Sequence, residues 1–319
     1  VSTYRGGVPL VEVVRSGFVE GRHHGSIVVL DGAGTLVASA GDPGGAVFPR
    51  SSNKPLQAVA MLRSGLSLVD QDQLALVAAS HSGEPFHLTR IRAMLDGGGL
   101  TEADLRCPPD LPLSESARND VLRAGGAASP ILMNCSGKHT GMLLTCRAAG
   151  WSTVDYPDPG HPLQQACRVA VEEFTGEPVA AVGVDGCGAP VMSTSLTGLA
   201  RAFLRLVSAP VGTPGRAVAD AMRAYPVLVS GTGELDAQLM GGVPGLLSKG
   251  GAEGVLALAI PDVGAVAIKI DDGGMRARLP ALGPALALLN VQLPDVAVPI
   301  GYQLRPVPAL EPTPGATAG

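Results

Sequence analysis

The spacing of apolar residues changes along the chain. Between residues 8 and 40 they fall in short alternating runs, VPLVEVVRSGFVEG, HHGSIVVLDG and GTLVASAGD, separated by glycine-containing turns. Alternation at period two with turn residues between predicts a β-meander, and Asp31-Gly32 is its clearest turn. From Ser51 onward the spacing becomes helical. PLQAVAMLRSG, DQDQLALVAAS and FHLTRIRAMLDGG predict three helices, followed by SESARNDVLRAG, CSGKHTGMLLTCRAAG and HPLQQACRVAVEEFTG. AAVGVDGCGAP reads as a short buried strand ending in a glycine turn, and TGLARAFLRLVSA and GRAVADAMRAYPVLV as two more amphipathic helices. SKGGAEGVLALAIPDVGAVAIKIDDG then predicts two apolar strands joined by a hairpin at Pro261-Asp262-Val263-Gly264, and PALGPALALLNVQL a closing helix.

Strands at both ends around a helical middle predict a mixed α/β (α+β) fold. One antiparallel sheet would be assembled from N- and C-terminal segments, with a helical lobe of about residues 51–178 inserted into it. Residues 1–303 read as a single domain. LRPVPALEPTPGATAG, residues 304–319, has the composition of a disordered tail.

Composition narrows the function classes. A chain of 319 residues with 46% hydrophobic content can bury a large core. Its apolar runs are shorter than a membrane span, and no N-terminal stretch reads as a signal peptide. A net charge of −5 with dispersed basic residues argues against nucleic acid as a partner. Five cysteines, odd in number and sparse, suit a reducing compartment, hence the cytoplasm, better than a disulfide framework.

Lysine usage points to chemistry. Of 23 basic residues only Lys54, Lys138, Lys249 and Lys269 are lysine; the rest are arginine. Arginine keeps its proton in proteins, whereas a lysine that is buried or set beside other cations can lose it and act as a base or ligand. Three of the four lie in the Gly/Ser/Cys-rich runs SSNK, CSGK and SKGG. In Arg50-Ser51-Ser52-Asn53-Lys54, Ser51 and Lys54 share a face at a helix start. That is the Ser-x-x-Lys arrangement in which a neutral amine takes the proton of an attacking serine. An N-cap serine beside a solvated lysine is the plainer reading of the same four residues.

Ser80-His81-Ser82-Gly83-Glu84 closes a helix, and Ser80 or Ser82 is a candidate second hydroxyl for carrying a proton to a leaving group. Ser248-Lys249-Gly250-Gly251 opens the C-terminal strands. A Lys-x-Gly there sets an amine over a cleft, and the glycine lets a substrate approach the backbone. The backbone N–H groups of Gly251 and Ser51 would form an oxyanion hole. Lys269 reads as structural. Asn134-Cys135-Ser136-Gly137-Lys138-His139 and Asp185-Gly186-Cys187-Gly188 bring two cysteines into tight turns. Two thiolates are good zinc ligands, with Lys138 a rare third ligand and His139 or Asp185 more ordinary ones; two small buried cysteines are the alternative.

PRSSNKPLQ, ASHSGE, NCSGKHTGML, HPLQ, DGCGAP and KGGAEGV together resemble the class 3, or asparaginase II, family of L-asparaginases typified by the thermolabile enzyme of Rhizobium. NCSGKH with DGCGAP is the specific part. The resemblance implies the fold of serine β-lactamases and serine-dependent glutaminases, usually as a homodimer. It implies hydrolysis of L-asparagine to aspartate and ammonia by two Ser–Lys pairs, Ser51 with Lys54 and Ser80 with Lys249. It also implies a Zn²⁺ held by Cys135, Lys138 and Cys187 that aids substrate binding. Arg50 would hold the substrate α-carboxylate and Glu84 or Asp185 the α-ammonium, with His139 and Gly251 also at the substrate. Other readings of the same residues are a Ser–Lys amidase or glutaminase on another amide, a zinc-bound hydroxide as the attacking group, and a non-catalytic amino-acid-binding homologue.

Overall fold

A computed structural model describes residues 3–294 and 301–313. The N-terminal strands are β1 (Val8–Arg15), β2 (Phe18–Asp31) and β3 (Leu36–Ala40). Two expected strands are here one, since β2 runs through FVEGRHHGSIVVLD without a break. The first expected strand is instead a hairpin turning at Ser16-Gly17, where both φ angles are positive, 48° and 83°. Paired left-handed residues are what a tight two-residue turn requires. Ser-Gly is a weaker turn signal than Asp-Gly, so the run reads as one strand.

The helical middle follows as α1 (Lys54–Arg63), α2 (Gln71–Val77), α3 (Pro85–Gly97), α4 (Glu115–Arg123), α5 (Ser136–Ala149) and α6 (Pro162–Thr175). Short strands β4 (Val182–Val184) and β5 (Pro190–Met192) form a separate hairpin. β4 is not the buried strand expected, for Val184 is 77% exposed. Then come α7 (Leu196–Val207), α8 (Pro214–Ala224) and α9 (Pro226–Val229); Pro226, which cannot donate to a preceding turn, divides the last two. An unexpected helix, α10 (Leu235–Gly242), occupies ELDAQLMGG. Its glycine-flanked eight residues carry no clear apolar stripe.

The C-terminal segment holds three strands rather than two: β6 (Leu247–Gly251), β7 (Val255–Ile260) and β8 (Gly264–Ile270). Helix α11 (Arg278–Leu288) and strands β9 (Gln303–Pro306) and β10 (Glu311–Pro312) complete the chain. The main sheet runs β10-β3-β2-β8-β7-β6, with β1 on β2 and β9 on β1, and its pairings are antiparallel. Chain ends thus meet in one sheet, as the apolar pattern predicted, through Val28 opposite Ala267 in the β2–β8 register. The described part of the expected disordered tail is different: its backbone pairs with β1 and β3, which satisfies its peptide groups despite its proline content. Residues 314–319 of that tail lie outside the described residues.

Strand β7 is buried along its whole length, so both faces of the sheet are covered there. Helix α7 packs on β2, β7 and β8, and α11 on β8 and β9. Helix α1 lies against α5, α6 and α8, so the Ser-x-x-Lys helix runs through the middle of the helical layer. Among the described residues no helix is long and apolar enough to cross a membrane.

Gly137 opens α5 against the backbone of α2: a methyl group there would lie 2.5 Å from the Leu76 carbonyl oxygen. Neither backbone can give way cheaply. Gly137→Ala is expected to cost about 1–3 kcal/mol, read as a lower urea midpoint. An unchanged midpoint would show that the α2–α5 contact is loose.

Candidate active site

The run that opens the helical lobe folds as a single 3-10 turn, Arg50–Asn53, leading directly into α1. Pro55 at the head of α1 suits a position that needs no N–H. Arg50 has φ of +52°, a left-handed conformation that costs an arginine about 1–2 kcal/mol. Its side chain helps to hold the turn, with Nε donating to Asp185 Oδ1 at 2.7 Å and Nη1 lying 3.8 Å from Glu253. The buried Ser52 hydroxyl donates to the Lys249 carbonyl at 2.9 Å, which fastens the turn to edge strand β6. A methyl group on Gly251 would lie 2.4 Å from Pro49 O and 3.2 Å from Ser51 N. Only glycine lets the strand pass this close to the serine.

Between the turn, the α2–α3 loop and β6 lies a cleft of about 290 Å³, lined by Ser51, Ser80, Asn134 and residues Lys249 to Ala252. That volume is at the small end for ligand sites, which suits a small substrate. Gly251 and Ser51 both border the cleft, as an oxyanion hole built from their N–H groups requires. Of the two candidate second hydroxyls, Ser80 faces the cleft. Ser82 is buried and donates to Glu84 Oε2 at 2.6 Å.

Lys54, Lys138 and Lys249 are each at most 2% exposed. Lys54 Nζ donates to the Ala79 carbonyl at 2.6 Å and to Ser80 Oγ at 2.8 Å. Its hydrogen bond therefore goes to Ser80 and not to Ser51, the partner expected from spacing. Lys249 Nζ donates to the Gly250 carbonyl at 2.9 Å and lies 3.6 Å from Asp236 Oδ2. Burial pushes the Lys249 amine down to about 8; the charge of Asp236 opposes this and that of Lys54 adds to it. Lys269 is half-buried and donates to the Glu253 and Ile270 carbonyls, a structural role.

Cys135 caps α5, Lys138 lies within its first turn, and Cys187 comes from the loop between β4 and β5. Lys138 Nζ is 3.0 Å from Cys187 Sγ. The Cys135 sulfur lies 3.0 Å from Asn134 Oδ1, and its thiol hydrogen-bonds to the Cys187 sulfur. That hydrogen bond, with the Lys138 charge, holds the Cys187 thiol well below its ordinary range against the effect of burial. The same bond and then burial hold Cys135 up. Burial works to lower the Lys138 amine, but the neighbouring sulfurs outweigh it and the amine stays above its usual range. His139 is buried, with Nδ1 2.7 Å from the Tyr156 hydroxyl and Nε2 without a hydrogen-bond partner among the described residues. Two thiols and an amine in contact, beside an unpartnered imidazole nitrogen, make a donor set that fits zinc. Among the described residues no three His, Cys, Asp or Glu side chains converge on a metal position; lysine is the third member here.

The remaining candidates are divided. Asp185 accepts from Arg50 and from Gly186 N, which places the arginine beside the cysteine loop. Glu84 accepts from Ser82 and from Thr232 N at 2.9 Å and does not border the cleft. Sequence reasoning missed several cleft residues: Ser230, whose buried hydroxyl has no partner among the described residues, Glu234, Asp236 and Arg278. Their signal is poor. Asp236 belongs to the helix that the pattern did not announce, and Arg278 is one of nineteen arginines.

A family model described as L-asparaginase II matches residues 11–305. No curated protein sequence matches the chain. Among solved structures, a beta-lactamase from Mycobacterium bovis is 14% identical over 84% of this chain and 95% of its own, with a TM-score of 0.44. A structure described as Mglu in its native form is 13% identical, with 85% of this chain aligned and a TM-score of 0.46; the chain spans 65% of that protein's length. A Bacillus glutaminase is 14% identical over 81% of this chain and 89% of its own, with a TM-score of 0.34.

Beside the cleft, the His81 and His87 rings stack at 5.3 Å. Burial, and then the charges of His87 and Lys54, hold His81 well below 6.5, and burial lowers His87 as well. Below pH 6.5 the unfolded chain therefore binds protons that the fold refuses, and stability falls as pH drops from there. Between about pH 7.5 and about pH 5.5 the urea midpoint should fall further in the wild type than in His81→Gln. Equal slopes would mean that His81 does not carry this dependence.

Proposed function

The chain belongs to the L-asparaginase II family, and from that premise we propose that its cleft hydrolyses L-asparagine to L-aspartate and ammonia. The observation that carries the proposal is the meeting of two hydroxyls, Ser51 and Ser80, with the buried amines of Lys54 and Lys249 at one small cleft. A protein that only bound an amino acid would have no need of two hydroxyls supplied with two buried amines.

In this reading Ser51 Oγ attacks the side-chain amide carbon and its proton passes to Lys54. The carbonyl oxygen becomes an oxyanion facing the N–H groups of Ser51 and Gly251, each donor worth about 3–4 kcal/mol. Ser80, bonded to Lys54, relays a proton to the amide nitrogen. The C–N bond breaks, ammonia leaves, and an ester to Ser51 remains. Water adds to the ester carbon, the serine oxygen recovers its proton, and aspartate departs. Lys249, whose amine burial pushes down to about 8, borders the same cleft and would adjust its field. The Ser230 hydroxyl, without a partner among the described residues, and the Glu234 carboxylate border the cleft and would meet the substrate's α-substituents. They take the place first given to Glu84, which is engaged by Ser82 and Thr232.

A second reading keeps the reaction and exchanges the serines. Lys54 is 2.8 Å from Ser80 Oγ, the contact expected of a base and its nucleophile. Glutamine is the competing substrate, since one methylene alters binding by only about 1–3 kcal/mol.

Cys135, Lys138 and Cys187 would hold Zn²⁺, with His139 Nε2 the nearest further donor. A zinc ion there would add positive charge beside Arg50 and Asp185, favouring an anionic substrate group. The resemblance also carries a homodimer and a cytoplasmic site as proposals, the first decided by light scattering on the purified protein.

Ammonia release from asparagine and glutamine should fall by about a thousandfold or more in Ser51→Ala with folding retained. In Ser80→Ala the loss should be smaller. Mass spectrometry of acid-quenched enzyme should find the acyl group on Ser51. An adduct on Ser80 would establish the second reading, and no release from either amide would sink the hydrolase proposal. Metal analysis after zinc loading and desalting should give one zinc per chain, lost in Cys135→Ala and in Cys187→Ala. Retention in both variants would remove this trio as the site.

A further inference from the structure

Asp236 is the one buried carboxylate lining the cleft among the described residues, and nothing in the Ser–Lys scheme uses it. It stands at the start of α10, under β6. Oδ1 accepts from the Ser248 hydroxyl at 2.7 Å and from Gly250 N at 2.9 Å; Oδ2 accepts from Gly250 N at 2.8 Å and faces Lys249 Nζ at 3.6 Å. Burying a carboxylate is costly unless donors and an opposite charge meet it. Here both are supplied by one strand, which places Lys249 and the acid's anchors on successive residues.

We propose that Asp236 is a positioning residue that sets the charge state of Lys249 and holds its amine at the cleft. The titratable and charged groups that act on Lys249 come from each element around it: Asp236 from α10, Lys54 from α1, Cys135 from the head of α5 and Arg278 from α11. Asp236 favours the ammonium. Lys54 and Arg278 disfavour it, and burial disfavours it most. Burial also works to raise the Asp236 carboxyl, but Lys249, the Gly250 N–H, Arg278 and Ser248 together hold it below its ordinary range. The acid therefore stays ionised where Lys249 titrates, and its charge opposes the effect of burial on that amine.

The kinetic consequence rests on the hydrolase reading; the titration does not. With only four lysines in the chain, [¹³C]lysine-labelled protein gives a spectrum simple enough to follow each ε-carbon across pH, and the Lys249 signal is assigned by its absence in Lys249→Arg. In Asp236→Asn, which keeps the shape and loses the charge, the Lys249 midpoint should fall by about one pH unit or more. The limb of the kcat/KM profile that reports Lys249 should move to lower pH with it. A merely structural Asp236 would lower stability and rate without moving either. Ser248→Ala removes a donor from the carboxylate and leaves its charge less neutralised, so the Lys249 midpoint should rise. If Asp236→Asn does not fold, the Ser248→Ala shift decides alone. A midpoint unmoved in the folded variants, or one that falls in Ser248→Ala, overturns the proposal. A wild type that releases no ammonia yet shows the shifts overturns the hydrolase reading and leaves this one standing.

Discussion

Burying an ammonium group costs several kcal/mol unless an acceptor or an opposite charge comes with it. This chain does so three times. Each of its three buried lysines is met differently: Lys54 by a carbonyl and a serine, Lys138 by a thiol, and Lys249 by a carbonyl and a carboxylate. Apart from the Gly250 carbonyl, the partners come from other segments, so the amines are all satisfied only when the helical layer, the cysteine loop and the edge strand are in place. The chemistry of the cleft and the closure of the fold therefore depend on the same contacts.

The sheet supplies the rigidity this requires. Strands from both chain ends share it, and edge strand β6 is tied to the serine turn by the Ser52 hydroxyl on the Lys249 carbonyl. One residue of that strand thus gives its backbone to the serine turn and its side chain to the acid of α10. The glycines beside it let the strand approach both. On the opposite side of the turn, Arg50 in its left-handed conformation links the serine to Asp185 and so to the cysteine loop. A change at the cysteines has a short path of polar contacts to the serine turn.

The cleft carries both signs of charge at close quarters. Lys249 and Arg278 stand over Asp236 and Glu234. Like charge from Asp236, after burial, keeps the Glu234 carboxyl above its usual range.

The sequence by itself determined the order of strands and helices that builds the sheet from both chain ends, and it singled out the candidate lysines. Alternation before residue 40 and after 250, with helical spacing between, was enough for a sheet built from both ends, because that pattern records which faces are buried. Scarcity of lysine left four candidates, three of them buried, because arginine serves elsewhere and cannot give up its proton. Only the tertiary structure decided the partnerships. Spacing along the chain put Ser51 with Lys54, yet the Lys54 hydrogen bond goes to Ser80, which the α2–α3 loop brings in. It also placed Glu84 away from the cleft, and brought in Asp236 from a short helix without an apolar stripe. Which acceptor meets a buried amine depends on where separate elements cross, and no local pattern encodes a crossing.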